Sequence, residues 1–180
     1  MFRFTLSRLR DAFSSQFVTN EILSEYLPLR EGEHPGSELV NDATRFWFSN
    51  RCEGDVPDWS CFKPEQHPTW LPNIILYERN ADKRIVTRLV GDTVVDHLPV
   101  NPTGLYLEDV LPKERLQDVV MRLERTLSDR LPNYVEKGKV WRHSGLSFDY
   151  NALSMPFGSV DTGVERILCI LEFNSARLDT

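Results

Sequence analysis

No stretch of this chain stays apolar for the roughly 20 residues that cross a bilayer. Residues 1–10 carry neither a continuous apolar run nor a small-residue cleavage site. The chain therefore reads as soluble, unexported and cytoplasmic. Positive charge is also in short supply: Lys+Arg 21 stand against Asp+Glu 27, for a formal net charge of -6. Such a field repels a phosphate backbone, so nucleic acid is excluded as the expected partner. Cysteine is scarce and odd in number, with only Cys52, Cys61 and Cys169, which argues against a disulfide framework and for a reducing compartment. Cys52 and Cys61 stand too far apart for a zinc-knuckle pair, and no fourth ligand follows His67 at a recognisable spacing, so no metal is expected. No nucleophile motif, phosphate loop or metal triad is present. The only acid-base set that successive strands would bring together is His143, Asp149 and Asp161, and the two Asp residues sit beside turns, where Asp commonly bonds backbone. The chain is read as non-catalytic.

What is present suits one core-bearing domain: 180 residues, 41% hydrophobic. Phe2, Phe4, Leu6, Leu9 and Phe13 form an apolar stripe flanked by Arg3, Arg8 and Arg10. The stripe predicts an amphipathic helix that packs on its own domain or a twin subunit rather than on lipid. Thr19 or Asn20 caps a second predicted helix through Ile22, Leu23, Tyr26 and Leu27, up to Pro28. Ser37 caps a third, whose Leu39, Val40, Ala43, Phe46 and Trp47 give it an aromatic face. From 52 to 72, Pro57, Pro64, Pro68 and Pro72 forbid a regular element, while Trp59, Phe62 and Trp70 predict a segment pinned across the domain.

Beyond Pro72 the period changes. Residues 73–77 and 84–90 read as an antiparallel hairpin turned at 80–83. Short helices follow at 92–98 and 105–111. The clearest helix carries Leu116, Val119, Val120, Leu123 and Leu127 on one stripe, with Asp118 and Arg122 one turn apart, and Pro132 closes it. Three more strands are predicted at 133–142, 146–155 and 164–173. The order β-β-α-α-α-β-β-β implies an α+β architecture: an antiparallel five-stranded sheet with helices packed on one face. The expected organisation is an N-terminal helical extension over 1–36, the main domain over 37–175 and a tail over 176–180.

That order is the order of the PAS fold, and local sequence sharpens the likeness. The residues that carry it are Val56, Pro57, Asp58 and Trp59; Phe62, Lys63 and Pro64; and Trp70 through Ile74. Arg88 through Gly91, Pro102 through Gly104 with Leu107, and Ser154 through Phe157 extend it over roughly residues 43–173. The chain resembles the small single-domain bacterial PAS-like proteins, common in alphaproteobacteria, that carry no attached kinase, cyclase or DNA-binding domain. Two features depart from that family. Asp92 follows Gly91 where the family has Thr, and the stretch before Ala43 has no counterpart.

The resemblance implies a signalling module that docks on a separate sensor kinase, cyclase or scaffold, with a pocket between sheet and helices; the aromatic N-terminal stretch, which the family lacks, predicts a homodimer formed through the N-terminal helices. It also says which cofactors to look for. A haem-binding version would place a His on or just before the long helix, yet 113–130 contains none, which leaves His97 as the conceivable ligand. A photoactive flavin version needs a reactive Cys near the start of the helical block, and none lies between Cys61 and Cys169. The cofactor is thus unknown, with a small-molecule or haem sensor as the alternative reading. Tyr106, Trp141, His143 and Tyr150 are the ligand-pocket candidates, residues that equally suit core or rim positions satisfied by backbone.

Overall fold

The computed structural model describes residues 26–51, 55–111, 113–141, 146–158, 165–174 and 177–178. In chain order these form β1 (Tyr26–Pro28), α1 (Glu38–Ser49), β2 (Ile74–Arg79), β3 (Ile85–Val90), α2 (Asp92–His97) and α3 (Leu107–Val110). They continue as α4 (Lys113–Asp129), β4 (Asn133–Trp141), β5 (Leu146–Phe157), β6 (Glu165–Phe173) and β7 (Arg177–Leu178). From β2 to β6 the order is the β-β-α-α-α-β-β-β expected from sequence. No helix among the described residues is long and apolar enough to cross a membrane.

All pairings are antiparallel, and the strands run β1-β4-β5-β6-β2-β3, with β7 paired to β5. The first and last strands of the main run meet in the middle, where Ile75 stands opposite Cys169 and Tyr77 opposite Ile167. The expected five strands are therefore joined by two short ones. β1 corrects the helix predicted up to Pro28: Tyr26, Leu27 and Pro28 pair with Val135, Tyr134 and Asn133. A proline cannot continue a helix but is tolerated on an edge strand. Leu29 N–H then donates to the Pro132 carbonyl at 2.7 Å. The helices predicted before Tyr26, and the dimer built on them, lie outside the described residues.

The expectation of helices on one face is also corrected, because both faces are covered. On one face α1 and the 59–73 segment bury Trp47, Trp70, Phe62 and Val40 against Leu153, Met155, Leu168 and Ile170. On the other, α2 to α4 cover Ile75, Ile167, Cys169, Ala152 and Tyr150. Strand alternation sends Leu153, Met155 and Phe157 one way and Tyr150, Ala152 and Ser154 the other. A sheet covered on both sides needs apolar residues at odd and even positions alike, and residues 167–171 of β6 are buried without a break.

Ser37 caps α1 by accepting from Val40 N–H, as expected of a Ser at that position. The proline-rich segment crosses as three 3-10 turns and is fastened by a 2.7 Å bond from Trp59 N–H to the Gly158 carbonyl. Within it His67 stacks on Trp70 with ring centroids 3.9 Å apart, and Phe46 meets its edge at 4.7 Å. His67 Nε2 is buried with no hydrogen-bond partner. Burial lowers the imidazole pKa below its ordinary 6.5, and Asp42 only partly opposes that. The folded state thus binds a proton more weakly than the unfolded one. Stability is expected to fall as the pH drops below 6.5 and to level off once the folded pKa is passed. In urea melts at stepped pH, His67→Phe, which keeps the stack without titrating, is expected to flatten that slope relative to the parent.

Candidate functional site

Between the sheet and α2 to α4 lies a cavity of about 170 Å³. On α4 the residues that line it are Arg115, Val119, Arg122 and Leu123, whose spacing places them along one helical face. The sheet supplies alternate residues that point the same way: Ile75 and Tyr77 from β2, Thr87 from β3, and Tyr150, Ala152 and Ser154 from β5. The loop after α2 adds Leu98, Pro99 and the buried Pro102. α4 is held over the sheet by Arg79, which forms ion pairs with Glu124 of α4 and Glu165 of β6. The outer edge of β3 is strapped by the same loop, with Thr87 N–H donating to the Leu105 carbonyl at 3.0 Å and Gly104 N–H to the Thr87 carbonyl at 2.7 Å. The enclosure is mostly hydrocarbon, with a few polar groups set into it, which is the usual make-up of a small-molecule site.

Those polar groups interact. Arg122 hydrogen-bonds Tyr150; burial works against its charge, but the oxygens of Tyr150 and Tyr77 more than offset this, and its pKa is raised. Tyr77 is pushed far up by burial, with Arg122 pulling the other way. Cys169 is pushed up to about 11, by burial first, despite its contact with Ser154 and the nearby Arg122; Ser154 Oγ and Cys169 Sγ lie 3.3 Å apart. At neutral pH the site therefore presents the protonated Cys169 thiol, the protonated Tyr77 phenol and guanidinium charge. Such a set binds and orients. Among the described residues it offers no thiolate nucleophile and no base poised near pH 7.

The residues singled out from sequence are dispersed. Tyr150 lines the cavity and is 8% exposed. Tyr106 is placed elsewhere, under the Arg84 guanidinium at 3.6 Å from the ring centroid, with its hydroxyl accepting from Asn80 at 3.2 Å. Trp141 ends β4 opposite Ser147, and its side chain lies outside the described residues, as do His143 and Asp161. Asp149 sits opposite Lys139, and its carbonyl accepts from Asn174 N–H at 2.7 Å. His97 stacks on Phe173 at 3.9 Å, with Nδ1 2.7 Å from the Thr93 carbonyl.

Sequence reasoning missed Arg122, Arg115, Tyr77 and Thr87. One signal was available. Arg115 and Arg122 fall seven residues apart, two turns, on the flank of the stripe formed by Val119 and Leu123. An arginine repeated beside an apolar stripe can turn inward. Spacing alone had matched Arg122 to Asp118.

No protein-family model matches the chain, and no curated protein matches it by sequence. Among solved structures it is similar to the PAS domain from Bordetella pertussis BvgS, at 16% identity over 64% of this chain and 90% of that one, with a TM-score of 0.45.

Proposed function

We propose that this chain is a non-catalytic PAS-type signalling module, which takes a small ligand into the cavity beneath α4 and passes its occupied or empty state to a separate regulatory protein. The carrying observation is the cavity itself: about 170 Å³ of largely apolar space, partly open to solvent, lined by two arginines and two tyrosines. The element order and the local sequence likeness support the family reading. A sensor kinase, a cyclase or a scaffold is the class of partner it fits.

Volume limits the ligand. A cavity of about 150 Å³ accommodates benzene, so the space here suits a metabolite of about seven non-hydrogen atoms. The same geometry suggests how occupancy is transmitted. α4 forms one wall of the cavity and is fixed to the sheet by Arg79, so a ligand that enters bears on α4 from within. The covered face beyond the sheet, built on α1, would stay fixed as a reference.

The test uses protein affinity-purified from its own cells and held under non-denaturing conditions. Native mass spectrometry is expected to show a small adduct that disappears in Ala152→Phe, a substitution that fills the cavity from its floor. The variant is expected to lose about 1–3 kcal/mol from overpacking and to keep its circular-dichroism spectrum. An adduct retained unchanged in Ala152→Phe, or a parent protein that never carries one, would overturn the reading.

A further inference from the structure

The cover on the α1 face of the sheet stops short of β3. Leu89 of that strand is 44% exposed, and the strand register explains how it comes to lie there. The ladder between β2 and β3 shifts between Leu76 and Tyr77, pairing Tyr77 with Thr87 and Leu76 with Leu89 and leaving Arg88 as an extra residue. A bulge of this kind re-aims side chains. Thr87 lines the cavity, and strict alternation would send Leu89 to the same face. Instead Leu89 stands opposite Leu76, which shares the α1 face with Ile74 and Glu78. Arg88 reaches that face too: its Nε and one terminal nitrogen both donate to one Glu78 oxygen, the shorter bond at 2.7 Å.

Glu78 is shared. Its other oxygen lies 3.3 Å from Arg166, which stands opposite Glu78 on β6 and holds its guanidinium 5.5 Å from the centre of the half-buried Trp59 ring. Among the described residues, Glu78 is the only carboxylate paired with either arginine. Two guanidiniums on one carboxylate leave one positive charge unbalanced, and the Arg88 side chain is 48% exposed. Asp58, next to Trp59, is turned to its own segment, where it accepts from Ser60 N–H at 2.9 Å. In a chain of net charge -6, this corner is a local excess of positive charge set beside exposed aliphatic surface.

We propose that the corner formed by Arg88, Leu89, Arg166 and Trp59 docks an acidic segment of a partner protein, with an Asp or Glu carboxylate between the two guanidiniums and a neighbouring apolar side chain against Leu89 and Leu76. A carboxylate placed there takes charge-assisted hydrogen bonds from both arginines. One unbalanced charge beside hydrocarbon suits a single carboxylate on a peptide; a nucleic-acid backbone or an anionic lipid layer would be repelled by the rest of this acidic chain. The proposal rests on the signalling-module reading and adds where the partner is held: on the face that stays fixed, with α4 left as the element that responds.

Amide NMR of the full chain at neutral pH tests it with two peptides, acetyl-Gly-Leu-Glu-Asp-Phe-Gly-amide and an uncharged counterpart with Gln-Asn in place of Glu-Asp. The acidic peptide is expected to shift the amides of Arg88, Leu89 and Arg166, and to bind about fivefold more tightly than the uncharged one, the upper scale of an exposed ion pair. That preference is expected to fade as NaCl rises from about 0.05 M to about 0.5 M, since exposed charges are screened. Arg88→Gln is expected to remove most of it, and Leu89→Ser to weaken both peptides about threefold. Both positions are exposed, so both variants are expected to fold. Arg84→Gln is the control, because that guanidinium is already paired with Glu108, and affinity is expected to stay within about twofold. Equal binding of the two peptides, shifts confined to other surfaces, affinity unchanged in Arg88→Gln, or no shift at about 5 mM peptide would overturn the site. Inorganic phosphate that shifted the same amides as strongly would mark a general anion surface and overturn the carboxylate assignment. A native adduct abolished by Ala152→Phe would keep the module reading standing through any of these failures.

Discussion

Trp47→Ala is expected to cost about 4 kcal/mol in urea unfolding, within the range of about 3–5 kcal/mol typical of a buried aromatic truncated to alanine. The side chain is 0% exposed and stands where α1 meets β5. Its indole N–H donates to the Pro156 carbonyl at 2.7 Å, and its ring meets Phe48 edge-on at 5.0 Å. Truncation removes the packing and also leaves a carbonyl without its donor. The two losses can be separated. Trp47→Phe keeps a six-membered ring in place and forfeits the hydrogen bond with a smaller share of the packing, at an expected cost of about 1–3 kcal/mol. Domains are commonly stable by only about 5–15 kcal/mol, so Trp47→Ala should populate unfolded protein near physiological temperature. A cost under about 1 kcal/mol would mean that α1 does not seal this face of the sheet.

Gly91→Ala is the second large effect, expected at about 3 kcal/mol or more because overlap with backbone cannot be relieved by a rotamer change. The cause is space rather than conformation. Gly91 has φ -71 and ψ 153, which any residue adopts, yet a β-carbon there would lie 2.1 Å from the Leu71 carbonyl oxygen and 2.4 Å from that of Pro72. Its N–H donates to the Ile74 carbonyl at 2.8 Å, so the chain cannot simply move away. Gly104 is the informative contrast. It has φ +81 and open space around the position of a β-carbon, so Gly104→Ala meets only the left-handed backbone penalty of about 1–2 kcal/mol. Thermal melts of the two variants should therefore differ in size, with Gly91→Ala the lower-melting.

The Gly91 contact also shows why part of the fold was legible in sequence and part was not. β2, β3 and β6 announce themselves through β-branched and apolar runs between turn residues, and α4 through its stripe at helical spacing, because local pattern alone decides them. β1 does not. Three residues ending in a proline have no period, and they become a strand only because β4 offers an edge. The covering of both sheet faces was written in residues 167–171, an unbroken apolar run that a half-exposed strand would not need, but it was outweighed by the strand-helix-strand order.

The site was harder to read because side-chain direction at the end of a long arm is a tertiary property. Arg122 has the sequence context of a surface ion pair, and its hydrogen bond to Tyr150 depends on β5 passing beneath α4. Thr87 reads as an ordinary strand threonine. Only the strap at Gly104 and Leu105 and the cavity behind it make its hydroxyl conspicuous. Tyr150 was reachable from the alternation of β5. Tyr106, with the same aromatic character and the same apparent boundary position, is instead committed to Arg84 and Asn80.

The central claim is that one face of this sheet holds a ligand and the other does not. Methyl NMR of the full chain during titration with benzoate and benzyl alcohol tests it most directly. Shifts are expected at Ile75, Val119, Leu123 and Leu171, while Val40, Leu153 and Leu168 across the sheet stay in place. Shifts confined to Val40, Leu153 and Leu168, or no shift in either set, would contradict it.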